Sequence, residues 1–374
     1  MSQNPYPHPY YIFAPPYSES SAGIRVLHLL ADAINRMGGT AYIASNLFAA
    51  HSATRPAHIL APVLTWAQAE EHRKTGIRPI ALYPEVVEGN PLRSRAVVRY
   101  VLNLPGLLGG PSAYDEAEFV YGYGKRLAKE IGHPERSLFL PAIDLADWPQ
   151  PEGVQARTQT CYYASKYKAV HNGEVFGVPP GAIEITRSLS TSINQDELKA
   201  LLARSRRLYV FENTALAIEA PLCGCPVVMM PNAYLAYPIG DADHGMGGIA
   251  WGDDPAEIAR AEATVHEMRS GYQAAIDQFP RDLKDFLIRT QAFRDAVPGF
   301  AADCRILKQG SYEADAARYT LSVLQPGQGG LSAIVSKAVS VVRRRGVLST
   351  LKISANLMHI FLARARSGMR GDRR

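Results

Sequence analysis

Tyr10-Tyr11-Ile12-Phe13-Ala14 is a short apolar run that reads as a strand, and the small polar loop Ser18 to Gly23 follows it. Ile24, Leu27, Leu30, Ala31 and Ile34 then recur at three- and four-residue spacing, which predicts a helix. Gly38-Gly39 stops that helix, and Ala41-Tyr42-Ile43-Ala44 predicts a second strand. A strand, a small-residue loop, a helix and a strand make a βαβ unit, so the sheet is parallel and the class α/β. His58-Ile59-Leu60 and Ile80 to Tyr83 predict two more strands. The second runs into the loop Pro84 to Pro91, which leaves the carboxyl end of its strand, where ligands sit in open parallel sheets. Arg93 to Leu102 predicts a helix that Pro105-Gly106 breaks.

Proline-rich sequence from Pro141 to Pro151 divides the chain, and the same rhythm restarts after it. Strands are expected at Thr160 to Ala164, Ala182 to Thr186, Leu208 to Phe211 and Pro226 to Met230, with helices at Asp196 to Ser205 and Asn213 to Leu222. Helix dominates after Glu257, until Gln325 to Gly330 interrupts it. The expected organisation is two Rossmann-like domains facing a cleft, 1–150 and 151–325, followed by a Gly-rich break and a tail, 326–374. The length of 374 residues fits two domains at about 150 residues each.

A hydrophobic fraction of 47% and a charged fraction of 20% exclude a largely disordered chain. Four cysteines are too few for a disulfide framework, and Cys223-Gly-Cys225 lacks the second pair of a zinc site. No stretch is apolar enough to span a bilayer, and residues 1–11 lack the features of a signal peptide, so a cytoplasmic setting is expected. The net charge of +5 is an average of unlike parts: residues 331–374 carry +9 and the rest −4. In that tail Leu348, Leu351, Ala355, Met358, Leu362 and Ala365 recur at helical spacing. A basic amphipathic helix of this kind lies on anionic membranes, each basic residue contributing on the order of 1 kcal/mol. Packing on the protein itself or on a partner helix, and a loose solvated tail, are the alternatives. Nucleic acid is not an expected partner, because no recognition motif accompanies the charge.

The richest stretch runs from Leu208 to Val228. A strand ends at Phe211, Asn213 or Thr214 can cap the next helix, Gly224 can end it in a left-handed turn, and Pro226-Val227-Val228 returns as a strand. The helix N-terminus carries partial positive charge, which suits a diphosphate. This stretch resembles the sugar-nucleotide domain of GT-B glycosyltransferases, in which a strand leads to a Glu-containing loop and a helix ending in Glu-Ala, followed by Cys-Gly-x-Pro-Val-Val. Ser20-Ser-Ala-Gly23 with the helix after it, and Tyr83 to Leu92, are similar to the first half of such enzymes from bacterial polysaccharide assembly, with Gly23 standing where a Gly-Gly pair is usual.

The resemblance implies a sugar transferred from a nucleotide-sugar to a lipid-linked or growing glycan, at the inner face of the cytoplasmic membrane, with no metal or other cofactor. It places Glu219 at the ribose of the donor and Glu212 at the donor sugar, although retaining members space these glutamates eight apart and here they stand seven apart. Retention of anomeric configuration is the expectation. Gly23, Asn213, Thr214 and Lys166 join the donor site, with Lys168 the alternative to Lys166. Glu85 is a candidate general base. Asn90 and Arg99 are candidates for the acceptor, or else a loop amide and a surface ion pair. Asp241-Ala-Asp243 has the form of a metal motif of another glycosyltransferase fold, but a cleft loop fits the two-domain pattern better, with His244 near the substrate. His28 is expected to be structural. Two rival classes remain: a sugar-nucleotide epimerase of the same fold, and a catalytically silent sugar-binding scaffold.

Overall fold

A computed structural model describes residues 5–19, 21–44, 56–148, 157–186 and 193–299. The Gly-rich break and the basic segment lie outside the described residues, as does Cys304.

The first sheet contains β1 (Tyr10–Phe13), β2 (Ala41–Ala44), β3 (Ile80–Pro84), β4 (Val97–Val101) and β5 (Phe119–Gly122) in the order β2-β1-β3-β4-β5, every pair parallel. Its central strands are buried along their whole length, as parallel strands covered on both faces must be. Helices α1 (Ala22–Arg36), α2 (Trp66–Lys74) and α3 (Gly124–Glu130) connect them. The second sheet contains β6 (Gln159–Tyr163), β7 (Ile183–Glu184), β8 (Ser205–Val210), β9 (Val227–Met229) and β10 (Ile249–Trp251), in the order β10-β9-β8-β6-β7, again all parallel. Its helices are α4 (Ser165–His171), α5 (Gln195–Ala203), α6 (Leu216–Leu222), α7 (Asp241–His244), α8 (Pro255–Thr264) and α9 (Glu267–Ala296). Two parallel-sheet domains facing a cleft make this the expected α/β, GT-B type of architecture.

Strand order locates the cleft. In the first sheet the chain leaves β1 toward β2 on one side and places β3 on the other, so the topological switch lies between β1 and β3. In the second sheet it lies between β6 and β8. The loops at the carboxyl ends of these four strands include Gly23, Glu85, Lys166, Asn213 and Thr214 or lead directly to them.

Helix α9 joins the two cores. Met268, Tyr272 and Ala275 pack with the second sheet, and Leu283, Phe286 and Leu287 with the first. Gln291 extends β1 as a strand would: its amide accepts from His8 N–H at 3.0 Å and donates to His8 C=O at 2.8 Å. The Phe119 and Phe293 rings stack at 4.8 Å.

Two expectations are corrected. Arg93 to Leu102 does not form a helix: its core, Val-Val-Arg-Tyr-Val, is the buried strand β4, as a run rich in β-branched and aromatic residues favours. His58 to Leu60 is not a strand. Arg36 binds the carbonyl of His58 at 2.6 Å and Asp32 accepts Leu60 N–H at 2.6 Å, which ties this segment to α1; only Val63 bridges to β2. The α6 helix begins at Leu216, three residues later than expected, and ends in a Schellman turn. Gly224 N–H meets Pro221 C=O at 2.8 Å, Cys225 N–H meets Ala220 C=O at 2.9 Å, and Gly224 has φ +71°.

Candidate active site

A cavity of about 260 Å³ lies between the two domains, and Gly23, Glu85, Lys166, Asn213 and Thr214 all line it. The first domain contributes Gly23, in the first turn of α1, and Glu85, directly after β3. Glu85 is 4% exposed, and its Oε2 accepts the N–H of Leu102 at 2.9 Å. Burial pushes its carboxyl up to about 7, against the opposing pull of backbone N–H groups and of the Lys166 and Arg99 cations. A carboxylate in that range can accept a proton near neutral pH.

The second domain contributes Lys166, the second residue of α4. Its charge acts on two buried carboxyls, Glu85 from one domain and Glu212 from the other. Lys168, the alternative to Lys166, pairs with Glu184 at 2.7 Å, whereas Lys166 is on the cavity wall. Asn213 does not cap α6. Its amide holds the following loop instead, donating to Tyr237 C=O at 3.1 Å and accepting Ile239 N–H at 2.9 Å. Thr214 is not the N-cap either, which is Ala215; its Oγ1 accepts Leu216 N–H at 3.3 Å, just before α6.

Glu212 and Glu219 are not on the cavity wall. Glu212 accepts the N–H of Tyr167 at 2.8 Å, so it caps the start of α4, and burial raises its carboxyl. Glu219 is fully buried and accepts from Arg25 of α1 at 3.1 Å. Arg25 itself lines the cavity.

The two acceptor candidates do not reach the cavity. Arg99 is a buried strand residue, not a helix-surface one. It forks onto Glu118 at 2.8 and 2.7 Å, donates to Val87 C=O at 2.8 Å and Gly89 C=O at 3.1 Å, and lies 5.2 Å from the ring centres of both Tyr83 and Tyr114. Asn90 accepts from Tyr83 O–H at 2.8 Å and Ser94 N–H at 3.0 Å, and donates to Ser94 C=O at 2.6 Å. Both residues therefore order the loop after β3, which carries Glu85.

Asp241 and Asp243 fasten one domain to the other. Asp241 binds Arg126 of α3 at 2.6 Å, and Asp243 accepts Lys125 N–H at 3.0 Å. Burial pushes the Asp243 carboxyl up to about 6. Among the described residues no cluster of three or more His, Cys, Asp or Glu side chains could hold a metal. His244 lines the cavity with a neutral ring: burial pushes it down to about 4, and its Nδ1 lies 2.9 Å from the carbonyl of Gly245. His28 Nε2 lies 2.9 Å from Pro15 C=O, a structural contact.

No family model matches the chain, and no curated protein matches it. Solved structures do match. The chain is similar to AviGT4, a glycosyltransferase involved in avilamycin A biosynthesis, at 13% identity and a TM-score of 0.43 over 77% of this chain and 98% of that one. It is similar to WaaG, a glycosyltransferase involved in lipopolysaccharide biosynthesis, at 12% identity and a TM-score of 0.39, over 78% and 100% of the two chains. It is similar to the glycosyltransferase SnogD from Streptomyces nogalater, at 13% identity and a TM-score of 0.34, over 84% and 99%.

Arg25 is the cavity residue that the sequence did not announce. The signal was present in the helical pattern: Arg25 and His28 stand three apart on the face of α1 that carries Val26, Leu30 and Ile34 inward. A charge on a buried face needs a partner. That partner, Glu219, is 194 positions away.

Proposed function

We propose that the chain transfers a sugar from a nucleotide-sugar donor to a hydroxyl of a glycan acceptor in the cavity between its sheets. The observation that carries this reading is the meeting of Glu85 and Lys166, one from each domain, on the wall of one cavity. A base near neutral pKa opposite a fixed cation is what displacement of a phosphate leaving group requires.

In this reading Glu85 takes the proton of the acceptor hydroxyl. The freed oxygen bonds to the anomeric carbon of the donor. The bond from that carbon to the diphosphate oxygen breaks, and its electron pair leaves with the nucleoside diphosphate. Lys166 neutralises the charge left on that group, so the step calls for no metal or other cofactor. Gly23 and the Asn213–Thr214 loop shape the donor's end of the cavity. A pair of glutamates in this stretch favours retention, but neither Glu212 nor Glu219 lines the cavity. We therefore read the step as a single displacement with Glu85 as the base, which inverts the anomeric centre.

The acceptor in this reading is a lipid-linked or growing glycan of a bacterial surface polysaccharide, met at the inner face of the cytoplasmic membrane. The +9 charge of residues 331–374 supports attachment to an anionic surface. Among the described residues no helix is long and apolar enough to cross a membrane. The test is incubation of the full chain with labelled UDP-, GDP- and dTDP-sugars and bacterial membranes. Transfer of label to the membrane fraction supports the proposal. Donor binding with no transfer to any acceptor contradicts it.

A further inference from the structure

The cavity has a second cation, from the opposite domain to Lys166. Arg25 lines the same space, and among the described residues its side-chain hydrogen bond runs from the NH2 group to Glu219 at 3.1 Å. A guanidinium carries five N–H donors in a fork that fits phosphate oxygens. Nε of Arg25 has no hydrogen-bond partner among the described residues, and about 10% of the side chain remains exposed. Tyr123 and Tyr272 also line the cavity, and both feel the Arg25 charge. Glu219, fully buried behind it, balances its charge.

We propose that Arg25 is the first domain's ligand for the diphosphate of the donor, which Lys166 meets from the second domain. The inference rests on the glycosyl-transfer reading and goes beyond it. It makes the diphosphate a bridge between domains, and it changes the part played by Glu219. The resemblance makes Glu219 a ligand of the donor ribose. Here Glu219 competes with the diphosphate for Arg25, and so acts as a positioning residue and counter-ion.

The two roles differ in sign. UDP, GDP and dTDP, together with inorganic pyrophosphate, are titrated calorimetrically into the full chain. Arg25→Gln is expected to weaken binding of the preferred nucleoside diphosphate about tenfold or more, the effect of losing a charge-assisted hydrogen bond, and Arg25→Lys to restore part of it. Arg25→Gln breaks a buried ion pair and can unfold the protein, so Glu219→Gln is the second variant. It is expected to tighten nucleoside diphosphate and pyrophosphate binding severalfold, by releasing Arg25. Weaker or equal binding by Glu219→Gln, or unchanged binding by a folded Arg25→Gln, overturns the inference and leaves the glycosyl-transfer reading in place. A wild-type chain that binds none of the four probes overturns both.

Discussion

Arg25 and Glu219 form an ion pair of 3.1 Å between helices of different domains, and Glu219 is fully buried. Breaking a buried ion pair by removing one member costs about 3–5 kcal/mol. Arg25→Met is therefore expected to lower unfolding free energy by that order, measured by urea titration. The double variant Arg25→Met with Glu219→Leu should be clearly more stable than Arg25→Met alone, because two apolar groups replace the pair.

Glu85 makes a pH prediction with a definite sign. Its folded pKa is about 7, raised by burial from an ordinary value of 4.5. The folded state therefore holds its proton more tightly than the unfolded state, and this group's contribution to stability falls as pH rises from about 4.5 to about 7. Glu85→Gln should be more stable than wild type at pH 8, with the difference shrinking toward pH 4. Thermal melts of both proteins across that range check it; a constant difference contradicts the burial account.

The contact between α3 and α7 depends on glycine. Gly124 has φ +78°, and a Cβ added there would run into the Asp243 carboxylate that accepts Lys125 N–H. Gly124→Ala should cost about 1–3 kcal/mol through backbone strain alone, and more through the displaced carboxylate. Asp243→Asn keeps an acceptor and should cost less. Urea midpoints of the two variants test the order.

Arg99 reaches the chemistry only through the loop it orders. Arg99→Lys cannot keep the fork onto Glu118 and the two carbonyl contacts together. It is expected to lower kcat with little change in donor affinity, and to shift the acidic limb of the pH–rate profile that reports Glu85. An unshifted limb with normal kcat shows that the loop holds Glu85 without Arg99.

The tail expectation is tested by co-sedimentation with phosphatidylglycerol vesicles. The full chain should bind, and a chain ending at Gly329 should bind far less. Equal binding removes the membrane reading of residues 331–374.

The fold could be read where apolar runs and spacing agreed, as in β1, α1, β2 and the β8–α6–β9 unit. It was misread at β4, where Val97, Val98 and Val101 fit helical spacing and a central arginine suggests a solvent-facing surface. What makes Arg99 a strand residue is Glu118, nineteen positions away, and two tyrosine rings. The site was legible to the same depth. Strand ends in parallel sheets face ligands, and that rule pointed to the loop that carries Glu85; Gly23 and Lys166 came from the family resemblance and Asn213 and Thr214 from the helix-cap pattern, and all five line the cavity. It does not say which loop polar groups are consumed by the loop itself, and Asn90 spends its amide on Tyr83 and Ser94. Nor does it reveal a partner in another domain, so Arg25 and its hold on Glu219 emerge only from the folded chain.

In the proposed reaction Glu85 and Lys166 perform sugar transfer across the cleft. Its most direct test is the rate of nucleoside diphosphate release from the preferred nucleotide-sugar, with membrane acceptors present, for wild type, Glu85→Gln and Lys166→Met. In wild type, release is expected to be coupled to transfer and to rise with pH through about 7. Glu85→Gln is expected to fall by about a hundredfold or more, the usual worth of a general base, with donor binding retained. Lys166→Met should lose both rate and donor affinity. Wild-type rates in Glu85→Gln at every pH would contradict the account.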